Sequence, residues 1–497
     1  MGIVLKQSFQ NLITTYLGFG LGAVNTLFLY VNFMSDTYYG LVSFILSTAF
    51  ILVPFLAFGV QNTMVKFYSS FEGEDQDRFL SWMLLLPLFL IIPLTGITYF
   101  LHQQIADFLS SKNEIVAGYV WYIFIIALSS AYFEIFFSWS KVQLKSTFGN
   151  FLKEVFHRLG VTLLLVLLAI SAIDVDTFII LTVVIYIVRM IIMMVYAFKQ
   201  RRPLITFSRK RANTTSKLDV QRTSIIKYST LIIIAGSVAT LLIDIDKFMI
   251  GKYVAIENVA YYAVAIYIAT VIGVPSRAMH QITYPMVAEM LNKKQWSEMS
   301  VLYKKSSLSL LVISGLLFLL IVCNIKSLYL LVGPEYATGL YVVLFISASK
   351  LLDNCLGINN AIIFNSDYYR IVLVIGVVAV IVAIILNMIL IPALGINGAG
   401  VATLIATVGY SVAKLLVVQS KFKMQPFSKN SLKIFGLIIG VFCLCYFWDF
   451  NLNPVVAIAL KGSLITIGYL LISYVFKLSM EINIAMDKVL NIVKKRD

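Results

Sequence analysis

Apolar runs of about twenty residues, separated by short polar breaks, recur along the whole chain. They fall at 9–31, 39–60, 79–100, 115–137, 155–172, 177–197, 225–247, 258–280, 306–325, 337–363, 371–391, 397–419, 431–448 and 454–476. A helix crosses the ~30 Å hydrocarbon core of a bilayer with about 20 such residues. The pattern therefore predicts an all-α polytopic membrane protein with about 14 transmembrane helices. The run at 155–172 is short for a span. Tyr38, Tyr39, Trp121 and Trp448 lie near span ends, where such rings anchor at the membrane interface.

Composition agrees. Of 497 residues, 60% are hydrophobic and 13% charged, and the mean hydropathy is +0.91. Soluble domains carry roughly 45–50% apolar and ~25% charged residues. A disordered chain, a disulfide scaffold and a cytosolic enzyme are excluded. Cys323, Cys355, Cys443 and Cys445 all sit inside apolar runs, without zinc spacing, and the three histidines are far apart, so no metal site is expected. The first run lacks a small-residue cleavage site and reads as a retained span.

Charge sets the expected topology. With a cytoplasmic N-terminus, thirty of the 39 Lys and Arg residues fall on the cytoplasmic side, three (Lys112, Lys252, Lys326) on the other, and six within spans. Positive residues collect on the inner side, so both termini are expected there and the span count is expected to be even. The net charge of +15 is thus mostly a topology signal, and no nucleic-acid partner is expected. The outer connectors are short, leaving no room for an external catalytic domain.

The two halves echo each other at an offset near 220: Lys6 matches Lys227, Pro54 matches Pro275, and Glu134 falls close to Asp353. Six spans per copy give both copies the same orientation. That predicts two pseudo-symmetric six-helix bundles about an axis along the membrane normal, with a cavity between them. The expected organisation is an N-terminal lobe at 1–198, a basic cytoplasmic linker at 199–224, a second lobe at 225–420, extra helices thirteen and fourteen at 421–476, and a tail at 477–497. In the tail Leu478, Ile482, Met486, Val489 and Val493 fall at the helical spacing of a surface-lying amphipathic segment.

The most specific stretch runs from Asn387 to Thr403. Pro392 and Gly395 predict a tight turn, and Gly398, Ala399 and Ala402 predict close helix packing. This stretch resembles a signature of the polysaccharide-exporter, or oligosaccharide flippase, branch of the multidrug/oligosaccharidyl-lipid/polysaccharide (MOP) exporter superfamily. Three more stretches are similar to that branch: Phe58-Gly59 through Ser69, Asp246 to Gly251 followed by Ala260-Tyr261-Tyr262-Ala263, and Leu331 to Tyr336. With the 6+6+2 layout, the likeness covers essentially the whole chain. It implies a multi-pass flippase of the bacterial inner membrane, not an enzyme. Such a protein moves an undecaprenyl-diphosphate-linked oligosaccharide, a repeat unit of O-antigen, capsule or exopolysaccharide, from the inner to the outer leaflet by alternating access. The alternatives on the same fold are a drug/cation antiporter and a lipid II flippase. Expected partners are membrane lipids, the lipid-linked glycan and polysaccharide polymerase or assembly proteins, around a monomer. No cofactor is expected beyond a coupling H+ or Na+, and no ATP-binding motif is present.

Carrying a diphosphate and sugars through hydrocarbon requires a wet polar path, so charges inside spans are the candidates. Arg277 in span eight is the first choice for the diphosphate, since a guanidinium grips phosphate oxygens in two places; snorkelling to the headgroups is the alternative. Arg189 lies nearer mid-depth in span six, as a substrate contact or a structural ion-pair partner. Lys350 and Asp353 share a face of span ten and either pair or exchange partners with substrate or proton. Glu134 in span four is a candidate proton carrier or a permanently neutral, hydrogen-bonded group. Asn11 and Asn25 belong to a polar and small-residue stripe of span one that either lines the cavity or packs helices. Asp244, Asp246 and Lys247, near the outer end of span seven, are candidates for a gate latch or ordinary headgroup-level charges. Lys414 and Lys461 are expected to snorkel.

Overall fold

In a bilayer every backbone polar group must find its partner within the segment, which favours helices. The computed structural model describes residues 2–203, 217–481, 483, 484, 486 and 487, and every regular element among them is helical. Eleven helices are long and apolar enough to cross a membrane, or twelve if a bent pair within Lys217–Tyr253 counts as one span. The sequence predicts about fourteen, and the differences have local causes. The run at 155–172 falls on a helix of only 13 residues, His157–Ala169, preceded by a π-helical turn at Leu152–Phe156. The run at 431–448 falls on Lys429–Cys445, 17 residues long. The run at 225–247 lies where the bent pair turns by 55°. Half of the basic segment 199–224 and most of the tail 477–497 lie outside the described residues.

The chain divides into two compact units, Met1–Ala260 and Tyr261–Asp497. The first holds α1 (Gly2–Val24), α2 (Asp36–Leu56), α3 (Gly73–Leu85), α4 (Leu88–Phe100), α5 (Val120–Val142), α6 (His157–Ala169), α7 (Val175–Gln200) and α8 (Lys217–Tyr253). Lipid tails are as apolar as leucine, so helices associate through close fit and dispersion. The glycines show how close. A Cβ at Gly18 would meet the Glu154 carbonyl, and one at Gly40 the Ile256 carbonyl. Phe79, Met83, Phe133, Trp139, Met193 and Ile225 fill one buried cluster of this unit. Pro54 lies in the last turn of α2, and the chain then turns through Phe58 and Gly59, both at positive φ.

The second unit holds α9 (Val274–Asn292), α10 (Trp296–Val322), α11 (Leu340–Asn354), α12 (Tyr369–Leu394), α13 (Ile396–Phe422), α14 (Lys429–Cys445) and α15 (Pro454–Val475). Gly395 alone separates α12 from α13, at φ 58° and ψ −138°, a backbone region essentially reserved for glycine. Gly398 then lies against the Leu390 carbonyl, with Ala399 and Ala402 fully buried. The Asn387–Thr403 stretch is thus a packing device, as its residue types predict. α14 and α15 pack on α10: Gly315 faces Ile438 and Tyr469, and the Tyr469 hydroxyl donates to the Val312 carbonyl at 3.1 Å. Lys461 does not snorkel. It is 5% exposed, 3.9 Å from Asp449, which also accepts from Lys326 at 2.7 Å.

The order of elements repeats. A short helix, a six-residue 3-10 turn and a long helix follow one another at His102–Leu109, Glu114–Tyr119 and α5, and again at Ile325–Val332, Pro334–Gly339 and α11. Glu114 to Pro334 and Val120 to Leu340 are each 220 residues apart, the offset read from the charges and prolines.

Candidate functional site

In the first unit, charged groups gather where α5, α6 and α7 meet. Glu134 accepts a hydrogen bond from Lys153 Nζ at 2.6 Å, and Lys141 and Arg189 stand within electrostatic reach of it. The sequence pattern did not show this partner. Lys153 lies between apolar runs, and only the π-helical turn that carries it brings it alongside α5. Arg158 pairs with Glu154 at 3.3 Å. Four cations therefore surround two carboxylates.

Lys141 and Arg189 hold no carboxylate in ion-pair range among the described residues, and of these two Arg189 is the buried one. It is 5% exposed, with its guanidinium 4.4 Å from the Phe133 ring centre and 4.7 Å from that of Tyr186. Its Nη2 donates to Ser130 Oγ at 3.3 Å, its Nε has no partner, and no carboxylate among the described residues is within ion-pair range. Two aromatic faces partly answer a guanidinium charge but leave a phosphate-shaped donor edge unused. His157 lies beside this group, its ring 6.0 Å from Tyr186 and its Nδ1 buried without a partner.

The polar stripe of span one turns toward residues 144–162 of the same unit. Gln7 donates to the Leu144 carbonyl at 2.8 Å, and Asn11 Nδ2 donates to Ser146 Oγ at 3.1 Å. Asn25 is buried and fully engaged: its Nδ2 donates to the Arg158 carbonyl at 3.0 Å and its Oδ1 accepts from Thr162 at 2.7 Å. Asn11 keeps a free Oδ1. Asp244 and Asp246 are both buried on α8, and Lys247 Nζ donates to Asp244 Oδ1 at 3.2 Å, the i, i+3 pair the sequence allows.

In the second unit, Asp353 accepts from Ser411 Oγ at 2.8 Å and Lys414 Nζ at 3.1 Å. Lys414 also donates to Asn360 Oδ1 at 3.0 Å and sits 4.5 Å from the Tyr410 ring centre. At 3% exposure it is buried, contrary to the expected snorkelling: α13 packs on α11 and carries Lys414 inward. Lys350 is not in ion-pair range of Asp353, although the two are three residues apart. It extends beside Gly273, with Asp353, Arg277 and Lys414 within electrostatic reach. Arg277 is exposed and His280 half-buried, the latter near Asp353 and Lys414. Three cations again outnumber the carboxylate. Among the described residues, no group of three or more His, Cys, Asp or Glu side chains is placed to hold a metal ion.

Residues 4–291, more than half of the chain, match the model of the family described as "Polysaccharide biosynthesis protein". Among curated proteins, none matches the sequence significantly. Solved structures share the fold. The lipid II flippase MurJ in an inward closed conformation aligns with a TM-score of 0.66 at 16% identity, over 93% of this chain and 98% of that one. An inward-facing multidrug resistance MATE family transporter of the MOP superfamily aligns at 0.54 and 14% identity, over 85% and 95%. A MOP superfamily transporter from Pyrococcus furiosus aligns at 0.54 and 14% identity, over 84% and 96%.

Proposed function

This chain belongs to the polysaccharide biosynthesis protein family, and we propose that it flips an undecaprenyl-diphosphate-linked oligosaccharide, a repeat unit of O-antigen, capsule or exopolysaccharide, from the inner to the outer leaflet of the bacterial inner membrane. The observation that carries this reading is the surplus of cations within spans. Arg189, Arg277 and Lys350 have no carboxylate in ion-pair range among the described residues, while the other cations within spans, Lys247, Lys414 and Lys461, each hold one. Unanswered charge inside a membrane protein is costly and marks a path for a charged ligand. Cations without a carboxylate in range suit a diphosphate better than a cationic drug.

In this reading the chain spans the membrane about fourteen times, with both termini cytoplasmic and two like-oriented six-helix lobes, 1–198 and 225–420. Arg277, exposed and beside Lys350, takes the diphosphate first. Arg189 offers its free Nε edge, and Asn11 its free Oδ1 to a sugar hydroxyl. Asn25 serves packing. Asp353 and Glu134 are the candidate ion-coupling groups, through exchange of their lysine partners for a proton or Na+. Asp244, Asp246 and Lys247 act as a latch. The acyl chain stays in the bilayer while the polar head crosses.

The test is reconstitution in liposomes with lipid-linked oligosaccharide, with and without an ion gradient. Arg277→Ala is expected to lower translocation by at least ~100-fold, the order lost with a charge-assisted phosphate contact of about 3 kcal/mol, while thermal unfolding stays unchanged. Full translocation by that variant would remove Arg277 from the path. The fold shared with MurJ supports a second substrate, lipid II, which offers the same diphosphate. The assay separates the two when each lipid is supplied alone.

A further inference from the structure

We propose that a cavity at the Lys304–Lys423 end of the second unit binds an anionic membrane phospholipid through its headgroup phosphate, at a site separate from the cations of the transport path. The cavity has a volume of about 630 Å3 and is lined by residues including Ser300 and Lys304 of α10, Leu416 and Gln419 of α13, and Lys423 and Gln425 just beyond it. None of its lining residues is acidic.

Four lysines crowd this end, and they divide into two kinds. Lys305 is bonded to Glu481 at 3.2 Å, and Lys421 lies 5.2 Å from the ring centre of Tyr368. Lys304 and Lys423 make no ion pair or ring contact among the described residues, and both line the cavity. Two free ammonium groups, two serine hydroxyls and two carboxamides form a donor set suited to phosphate oxygens. Basic pockets between membrane helices hold anionic headgroups by this chemistry.

The backbone supports the assignment. Lys423 ends α13 in the left-handed conformation, at φ 58° and ψ 30°. Glycine is the usual residue at such a helix end, because a side chain there carries strain. A lysine at this position places its ammonium at the cavity, and Met424 and Gln425 form the adjoining wall.

A second observation points to a lipid rather than a soluble anion. Leu416 lines the cavity and is exposed, and Ile405 and Val412 are exposed on the same helix. Their spacing of seven and four residues places all three on one face of α13. The phosphate pocket thus opens onto an apolar strip along which an acyl chain can lie.

The test uses the full chain in nanodiscs of phosphatidylcholine with a minor fraction of phosphatidylglycerol, reading bound lipid by native mass spectrometry. Wild type is expected to retain one phosphatidylglycerol that Lys304→Gln with Lys423→Gln binds roughly thirty-fold more weakly, at about the effect of two surface lysines. Lys305→Gln with Lys421→Gln removes the same charge outside the cavity and is expected to leave that lipid bound. Inorganic phosphate is expected not to displace it. Equal loss in the two double variants would reduce the effect to diffuse surface charge, displacement by inorganic phosphate would make the ligand a soluble anion, and no retained lipid in wild type would mean no site. Each of these three results overturns the proposal.

Discussion

A lysine buried beneath an aromatic ring persists only while another group answers its charge. Lys414 has Asp353, Asn360 and the Tyr410 face for this purpose. Lys414→Met should therefore destabilise the protein, by about 2 kcal/mol. That is less than the ~3–5 kcal/mol for a fully buried pair, because the Asp353 side chain is 35% exposed. The thermal midpoint in detergent measures it, and adding Asp353→Asn should recover part of the loss. Asp174 offers a pH prediction. It caps α7, and hydrogen bonds from Thr177 hold its carboxyl below the usual carboxylate range. A depressed folded value means that the cap stabilises above the unfolded pKa of ~3.9 and is lost as pH falls through the folded value. Asp174→Asn keeps a capping oxygen and should abolish that acid-side loss of amide protection at Thr177, read by hydrogen exchange. The candidates themselves were legible, since an ionisable residue inside an apolar run is visible by eye. Partners were legible only within one helix turn, as for Asp244 with Lys247. Lys350 and Asp353 share a helix face, yet Asp353 bonds to Lys414, 61 positions on, and local spacing carries no trace of a tertiary neighbour.

Helices were readable wherever apolar length alone decides them, as in α5, α7, α12 and α13. They were not readable where the backbone departs from α geometry. The π-helical turn at Leu152–Phe156 delays the start of the fifth predicted span, and a second at Asn25–Leu29 follows α1. Such turns carry one extra residue, which hydrophobic periodicity cannot reveal. The Gly395 turn was legible because residue type dictates it. Gly395→Ala should cost about 1–3 kcal/mol, as for other residues forced into glycine-only backbone. No side chain stands where its Cβ would go, so the loss would come from backbone strain alone. The thermal midpoint would fall, and a midpoint equal to wild type would show that α12 and α13 can rejoin by another turn.

At the scale of the whole molecule, the sequence conveys class and repetition better than mechanism. The 220-residue offset, read first from Pro54 and Pro275, reappears in the order of helices and 3-10 turns, because prolines and turns fix where elements break while apolar residues within a span interchange freely. Each unit also holds a half-buried carboxylate answered by a lysine from another segment, Glu134 with Lys153 and Asp353 with Lys414. Asp449 has a practical use that follows from its position between Lys326 and Lys461. The Lys461 contact closes the final hairpin on itself, the Lys326 contact ties it to the short helix Ile325–Val332, and the Tyr469 hydroxyl on Val312 joins it to α10, so the pair must travel with its host as cargo rather than swing independently. A spin label on exposed Leu452 would then act as a pointer on a dial, reporting any turning of the second unit while leaving Arg189, Arg277 and Lys350 untouched.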